Sequence, residues 1–324
     1  MELGNDHPLD PFTDRFLGSC LGLLVGDALG MPVEGWPWPK IRDRYGWLEE
    51  MVPGRLPAGS YTDDGQMAFG LLKSLVRENG FDPAACAAAW SAGYDPARGY
   101  GGRIDGIMTD LAAGRSWDAV GTDSFGNGSA MRIGPLGAWY YRDEKRLAQA
   151  ALESASITHR HPQALAGALI QALAVARALS RGIRRKPLAP PEAVGALIRA
   201  AAPVDPESAR RLEPLREIRP ADRESLRRRL TSLFACDVRA IEAVGPALGA
   251  VLATGSFREA VSLAVNLGGD TDTLGAMAGA VAGAHYGFSA IPGDWLEALE
   301  NTPHQGRDCM IELALEGARM VKAG

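Results

Sequence analysis

The segment Gly275-Ala276-Met277-Ala278-Gly279-Ala280-Val281-Ala282-Gly283-Ala284 constrains this chain more than any other. A helix with sides that small lets a neighbouring helix come very close, so it is expected to be central and buried. Apolar residues recur at helical spacing elsewhere too. Between Thr158 and Ser180 they fall at Ala164, Leu165, Ala168, Leu169, Ala172, Leu173 and Ala176, and a second set is Phe234, Val238, Ile241, Val244 and Leu248. Alternating strand patterns are missing except for a weak one at Trp47 to Val52. The fold class read from this is all-α.

Hydrophobic residues make up 46% of the 324 and charged residues 23%, the composition of a globular protein. A chain of this length needs neither a disulfide nor a metal merely to fold. The net charge of −5 supplies no basic field for nucleic acid. Cys20, Cys86, Cys236 and Cys309 form no C-x-x-C pair, which predicts reduced thiols. The acidic, polar start is unlike a signal peptide, and the apolar stretches are read as broken by Gly, Asp or Arg before membrane-spanning length. A soluble, cytoplasmic monomer without a membrane partner is therefore expected. One domain over residues 1–324 is expected, with a peripheral helical region at about 181–230 that is Arg-rich and interrupted by prolines. Its basic runs read as a solvated face.

Three acidic clusters carry chemistry. The first is Gly26-Asp27-Ala28-Leu29-Gly30-Met31-Pro32-Val33-Glu34, where an apolar helix, Leu21 to Leu29, ends in Gly30 and Pro32 and Glu34 sits just past it. The second is Tyr61-Thr62-Asp63-Asp64-Gly65, and the third is Gly268-Gly269-Asp270-Thr271-Asp272-Thr273. The last two share a layout, a short Thr/Asp loop running straight into an apolar helix. Carboxylates that close repel unless a cation neutralises them. Two independent helix caps would account for one or two of them, not four. A pair of hard divalent cations, Mg²⁺ or Mn²⁺, accounts for all, since such ions prefer carboxylate and hydroxyl oxygens.

Ser124-Phe125-Gly126-Asn127-Gly128, ahead of a helical start, could cradle an anion on its backbone N–H groups, although such a run is often only a turn. The same holds for Arg98-Gly99-Tyr100-Gly101. His159 and His161 precede a long helix whose first residue is expected at Pro162, with Arg160 or His161 as the cap. His7, His285 and His304 form no pattern, and Trp36 and Trp38 read as packing.

Taken in order, these motifs resemble the ADP-ribosylglycohydrolase family. The matching pieces run from Gly26-Asp-Ala-Leu-Gly30 with Glu34, through Tyr61-Thr-Asp-Asp64, Arg98-Gly-Tyr-Gly101, Gly126-Asn-Gly-Ser-Ala-Met-Arg132 and Ile157-Thr-His-Arg-His-Pro162, to Gly268-Gly-Asp-Thr-Asp-Thr273. The resemblance implies an orthogonal all-α bundle with a binuclear Mg²⁺ or Mn²⁺ centre in a central cleft. Thr62, Asp63, Asp64, Asp270, Asp272 and Thr273 would hold metal, and Glu34 matches a mobile or metal-adjacent glutamate. Gly99, Tyr100, Gly101, Ser124, Phe125, Gly126, Asn127, Gly128 and His159 would bind ADP-ribose. Gly65 departs from the Thr or Ser the family usually has there, so a hydroxyl behind the ligands is lost.

The implied reaction is hydrolysis of the glycosidic bond of an ADP-ribosyl group on a protein or a small molecule. The bond-breaking ribose acquires positive charge, so nearby carboxylates help. Glu34, Asp63 or Asp64 would take a proton from the attacking water. The family's first-described activity favours arginine linkage, and nucleic acid would enter only as a modified end. An all-α prenyl synthase would need a D-D-x-x-D spacing that Asp63-Asp64-Gly65-Gln66-Met67 lacks. A non-catalytic ADP-ribose-binding or crystallin-like protein on the same fold is the other alternative.

Overall fold

The computed structural model describes residues 9–323, so His7 and most of the N-terminal segment lie outside the described residues. Among them the regular structure is helical throughout, with three isolated bridges and no β-sheet. The all-α reading holds.

The first helix, Pro11–Gly30, begins at Asp10, whose side chain accepts the N–H groups of Phe12 and Thr13. From Phe16 to Gly30 every residue is buried. It runs antiparallel to the small-residue helix, Thr271–Tyr286, with main chain against main chain. A methyl group on Gly18 would lie 2.3 Å from the Gly283 carbonyl oxygen, and one on Gly22 2.3 Å from that of Gly279. On Gly26 it would lie 1.9 Å from the Gly275 oxygen, and on Gly30 2.2 Å from the Thr271 oxygen. Each glycine inside a helix costs roughly 0.5–1 kcal/mol relative to alanine. The repeat persists because any side chain would push the two backbones apart.

Other helices surround this pair. Pro162–Ile183, Ala240–Ala253 and Phe257–Val265 pack on the small-residue helix, and Gln171 donates to the Met277 carbonyl at 2.9 Å. Pro162 is the first residue of its helix, and His161 caps it by accepting the Gln163 N–H at 3.2 Å. The first helix with its following turn, Pro11–Val33, is long and apolar enough to cross a membrane, as is Pro162–Ile183. That corrects the estimate from apolar run length. The whole window of the first is buried against other helices, as expected of a core helix.

Residues 181–233 form peripheral helices at Pro190–Ala201, Pro206–Arg211 and Arg223–Leu233. Their arginines do more than face water. Arg227 lies over the Trp38 ring at 4.8 Å and Arg223 over Trp47 at 4.7 Å, which pins the tryptophan segment. Trp36 stacks on Tyr45, consistent with a packing role.

Two local expectations are corrected. Trp47 to Val52 forms no strand, because the Asn266 side chain takes both polar groups of Leu48, accepting its N–H and donating to its carbonyl at 2.9 Å each. The periodic set from Phe234 does not make one helix. The helix starts at Ala240, and Val238 is 63% exposed. Residues 236–240 are instead tied to the Gly-rich loop, with Asn127 N–H donating to Val238 O at 2.9 Å and Ala240 N–H to Phe125 O at 3.0 Å.

Gly26→Ala is expected to lower stability by about 3 kcal/mol or more, because the added methyl meets backbone that cannot rotate away. Gly106→Ala, in the exposed helix Ile104–Ala112 with open space around it, should stabilise by about 0.5–1 kcal/mol. Thermal and denaturant unfolding of the two variants measures both effects.

Candidate active site

The first acidic cluster contributes a buried anchor. Asp27 lies one turn from the end of the first helix and is fully buried. Its carboxylate accepts the Thr62 N–H at 2.9 Å and the Gly65 N–H at 2.8 Å, so it caps the helix Asp63–Glu78 from outside. Thr62 caps the same helix locally, its hydroxyl oxygen accepting the Asp64 N–H at 3.3 Å. Gly65 leaves room for this arrangement. A methyl there would lie 2.7 Å from Leu24 and 2.8 Å from the Tyr61 ring, so the usual hydroxyl residue would have to displace packed side chains.

The third cluster is placed by the end of the same first helix. The Thr271 hydroxyl donates to the Gly30 carbonyl at 2.8 Å. Gly268 and Gly269 both have φ of +81°, a conformation that favours glycine. Around them Gly35 N–H donates to Gly269 O at 2.7 Å and Gly269 N–H to Trp36 O at 2.9 Å. These bonds hold Glu34 beside the Asp270 loop. One carboxylate oxygen from each of Glu34, Asp270 and Asp272 lies within 4.8 Å of the others.

These groups line one wall of a cavity of about 310 Å³, together with Asp63, Asp64 and Thr273. Gly126, Asn127, Gly128, Ser124 and His159 line it too, as do Gly99 and Gly101. Asn127 ties the two walls together by donating to Asp270 Oδ2 at 2.6 Å. Three residues proposed from the sequence lie off the cavity wall. Thr62 is behind the carboxylates. Tyr100 turns toward Gln66, its hydroxyl 2.7 Å from Oε1. Phe125 is 45% exposed, edge-on to His161.

Sequence reasoning assigned no role to several residues here. Arg55 donates from Nε to Glu34 Oε2 at 3.0 Å, and its guanidinium lies 3.7 Å from Asp272 Oδ2. It is seated by donating to the Arg98 carbonyl at 2.8 Å, and it lies so close to Gly99 that a methyl there would be 2.3 Å away. No periodicity or motif marks Arg55. Arg132 and Thr158 also line the cavity. Asp27 did leave a signal, an acidic residue within an apolar helical run.

The donor set fits a divalent cation. All the donors are hard oxygens, and Asp64 Oδ1 is buried with no hydrogen-bond partner. Burial followed by repulsion from Asp27 pushes the Asp63 carboxyl up to about 7. Burial also raises Asp64 and Asp272 well above the ordinary carboxylate range, with neighbouring carboxylates adding to it. Asp27 is pushed up to about 7 by burial, against the lowering effect of the two N–H groups it accepts.

Comparison with known proteins shows the family. Residues 8–323 match the family model for ADP-ribosylglycohydrolase. An uncharacterized protein of Archaeoglobus fulgidus is 32% identical, over 93% of this chain and 95% of its own. The ADP-ribosylhydrolase ARH3 of Gallus gallus is 29% identical, over 88% of this chain and 89% of its own. The ADP-ribosylarginine hydrolase Tri1 of Pseudomonas putida is 29% identical, over 90% of this chain and 76% of its own. A solved structure described as an ADP-ribosylglycohydrolase-related protein complex superposes with a TM-score of 0.70 at 33% identity, covering 97% of this chain and all of its own.

The raised carboxyls make stability depend on pH. The folded state holds protons that the unfolded chain releases between the ordinary value of 3.8 and about 7. Their contribution is therefore full at low pH and is lost as pH rises through 7. In EDTA, the melting temperature should fall from pH 5 to pH 8. Added Mn²⁺ or Mg²⁺ should raise it, and more at pH 8 than at pH 5. Thermal unfolding at both pH values, with and without the ion, tests this.

Proposed function

Because the chain belongs to the ADP-ribosylglycohydrolase family and is a glycosidic-bond hydrolase, we propose that it removes ADP-ribose from arginine-linked targets at a binuclear Mg²⁺ or Mn²⁺ centre. One observation carries the reading. Five carboxylates from three chain segments line one cavity together with a glycine-rich loop and a histidine. The carboxylate wall suits cations and a ribose that becomes positive, and the glycine wall suits a diphosphate.

Asp63, Asp64, Asp270, Asp272 and Thr273 would hold the ions, with Thr62 behind them donating to Asp64 Oδ2 at 3.2 Å. When bound, such ions supply positive charge that orients the ribose hydroxyls and makes a nearby water more acidic. The remaining work falls to side chains and backbone. Glu34, Asp63 or Asp64 accepts the proton of the attacking water. Arg55 holds Glu34 in place through the 3.0 Å contact. The negative wall stabilises the oxocarbenium character that develops at the ribose carbon as the bond to the leaving group breaks. The Asn127 N–H is taken by Val238 O and the Gly126 N–H by Ser124 Oγ, so the Gly128 N–H would receive the diphosphate, with His159 closing that side. Arginine linkage is preferred because one relative carries that activity in its name.

The test is ADP-ribose release from arginine-, serine- and nucleic-acid-linked substrates, with Mg²⁺ or Mn²⁺ and with EDTA. Release from the arginine substrate that requires the ion is expected. The Asp270→Ala/Asp272→Ala variant should lose at least about a hundredfold in rate, the scale of removing transition-state charge stabilisation. Release from serine or nucleic-acid linkages alone would contradict the arginine preference. No release from any substrate, with ADP-ribose still bound, would favour the binding-protein alternative.

A further inference from the structure

His159 lines the same cavity as the carboxylates and is buried. Its Nδ1 is 2.7 Å from the Thr158 hydroxyl oxygen. That oxygen already accepts a hydrogen bond from Arg132 Nη2, also at 2.7 Å. Among the described residues Arg132 has no carboxylate partner. It is fully buried, lies over the Trp90 ring at 4.0 Å, and donates otherwise to the Ser154 carbonyl and the Met67 sulfur. A guanidinium can only donate, so the direction of the chain is set at its first link.

The second link follows. Among the described residues the Thr158 hydroxyl proton has one acceptor within hydrogen-bond distance, His159 Nδ1. Were Nδ1 to carry the proton instead, the hydroxyl would accept twice and leave its own proton buried and unpaired, which is disfavoured. Nδ1 is therefore the acceptor and Nε2 carries the ring proton. Nε2 is the nitrogen that faces the glycine loop. Methyl groups built on Gly126 and Gly128 would lie 3.4 Å and 3.2 Å from it.

We propose that Arg132 and Thr158 are positioning residues that lock His159 as a neutral imidazole with its Nε2–H directed into the cavity, so that it recognises an acceptor oxygen of the ligand beside the Gly126–Gly128 loop. The inference rests on the proposed ADP-ribosyl site only for the ligand, where the acceptor is a diphosphate or ribose oxygen. The locked tautomer is a property of the free protein. Burial, with Arg132 and Arg103 nearby, holds the imidazole well below its usual value, toward about 3, in agreement with a neutral ring.

The test is nitrogen-15 NMR of the histidine rings in the full chain at pH 7, with the His159 signals identified by their loss in His159→Gln. A single pattern with a bare Nδ1 and a protonated Nε2 is expected. Thr158→Val should convert it to a mixture of tautomers, and Thr158→Ser should restore it. An Nδ1–H or doubly protonated pattern in the native protein would overturn the proposal, as would an unchanged pattern in folded Thr158→Val. Binding of ADP-ribose is measured beside it. Thr158→Val should bind about tenfold more weakly and Thr158→Ser within about twofold of the native protein. If the native protein shows the locked tautomer but binds no ADP-ribose, the function reading fails and the tautomer lock stands.

Discussion

Main-chain contact between the first helix and the small-residue helix is the constraint on which the rest of the structure depends. Glycines four apart on Pro11–Gly30 meet glycines four apart on Thr271–Tyr286, with no side chain between them. The two carboxylate loops are both attached to this pair at one end. Asp27 on the first helix takes the N–H groups of Thr62 and Gly65, and Gly30 takes the Thr271 hydroxyl. A change in helix separation would move one loop relative to the other. The distance between two groups of carboxylates, the quantity a pair of cations would sense, is thus set by the absence of side chains along the contact from Gly18 to Gly30.

The opposite wall depends on different bonds. The glycine-rich loop is tied to residues 238–240 by main-chain hydrogen bonds and to Asp270 by Asn127. Beneath it runs the chain from Arg132 through Thr158 to His159. One wall is thus dense in negative charge and the other supplies neutral donors over a buried guanidinium. An ADP-ribosyl group has this polarity. Its diphosphate seeks donors, and its ribose becomes positive as the glycosidic bond breaks.

Much of this was legible in the sequence because chemistry and helix periodicity leave local marks. Asp63-Asp64 and Asp270-x-Asp272 stood out as carboxylates too many for helix capping, and the structure brings them to one cavity. Gly275 to Ala284 announced close packing. Its partner face, Gly18, Gly22, Gly26 and Gly30, was hidden among leucines and shows its purpose only when the opposing helix is in place. Arg55 was invisible, since a lone arginine in a Pro- and Gly-rich loop has no pattern, and its meaning lies in contacts with Glu34 and Asp272 far along the chain. Val238 misled because helical spacing continued through residues whose backbone is bound to a distant loop instead. Asn266 likewise replaced a strand partner for Leu48 from 218 positions away.

The most direct test of this account is a Mn²⁺ titration, by calorimetry or electron paramagnetic resonance, of Gly30→Ala beside the native protein. The titration is run where circular dichroism shows both folded. The added methyl would meet the Thr271 backbone at 2.2 Å, at the junction from which Asp270 and Asp272 project. The account predicts binding weakened at least about tenfold with helix content retained. Native affinity in a folded Gly30→Ala protein would contradict it, because the carboxylate loops would then hold their spacing without the helix contact.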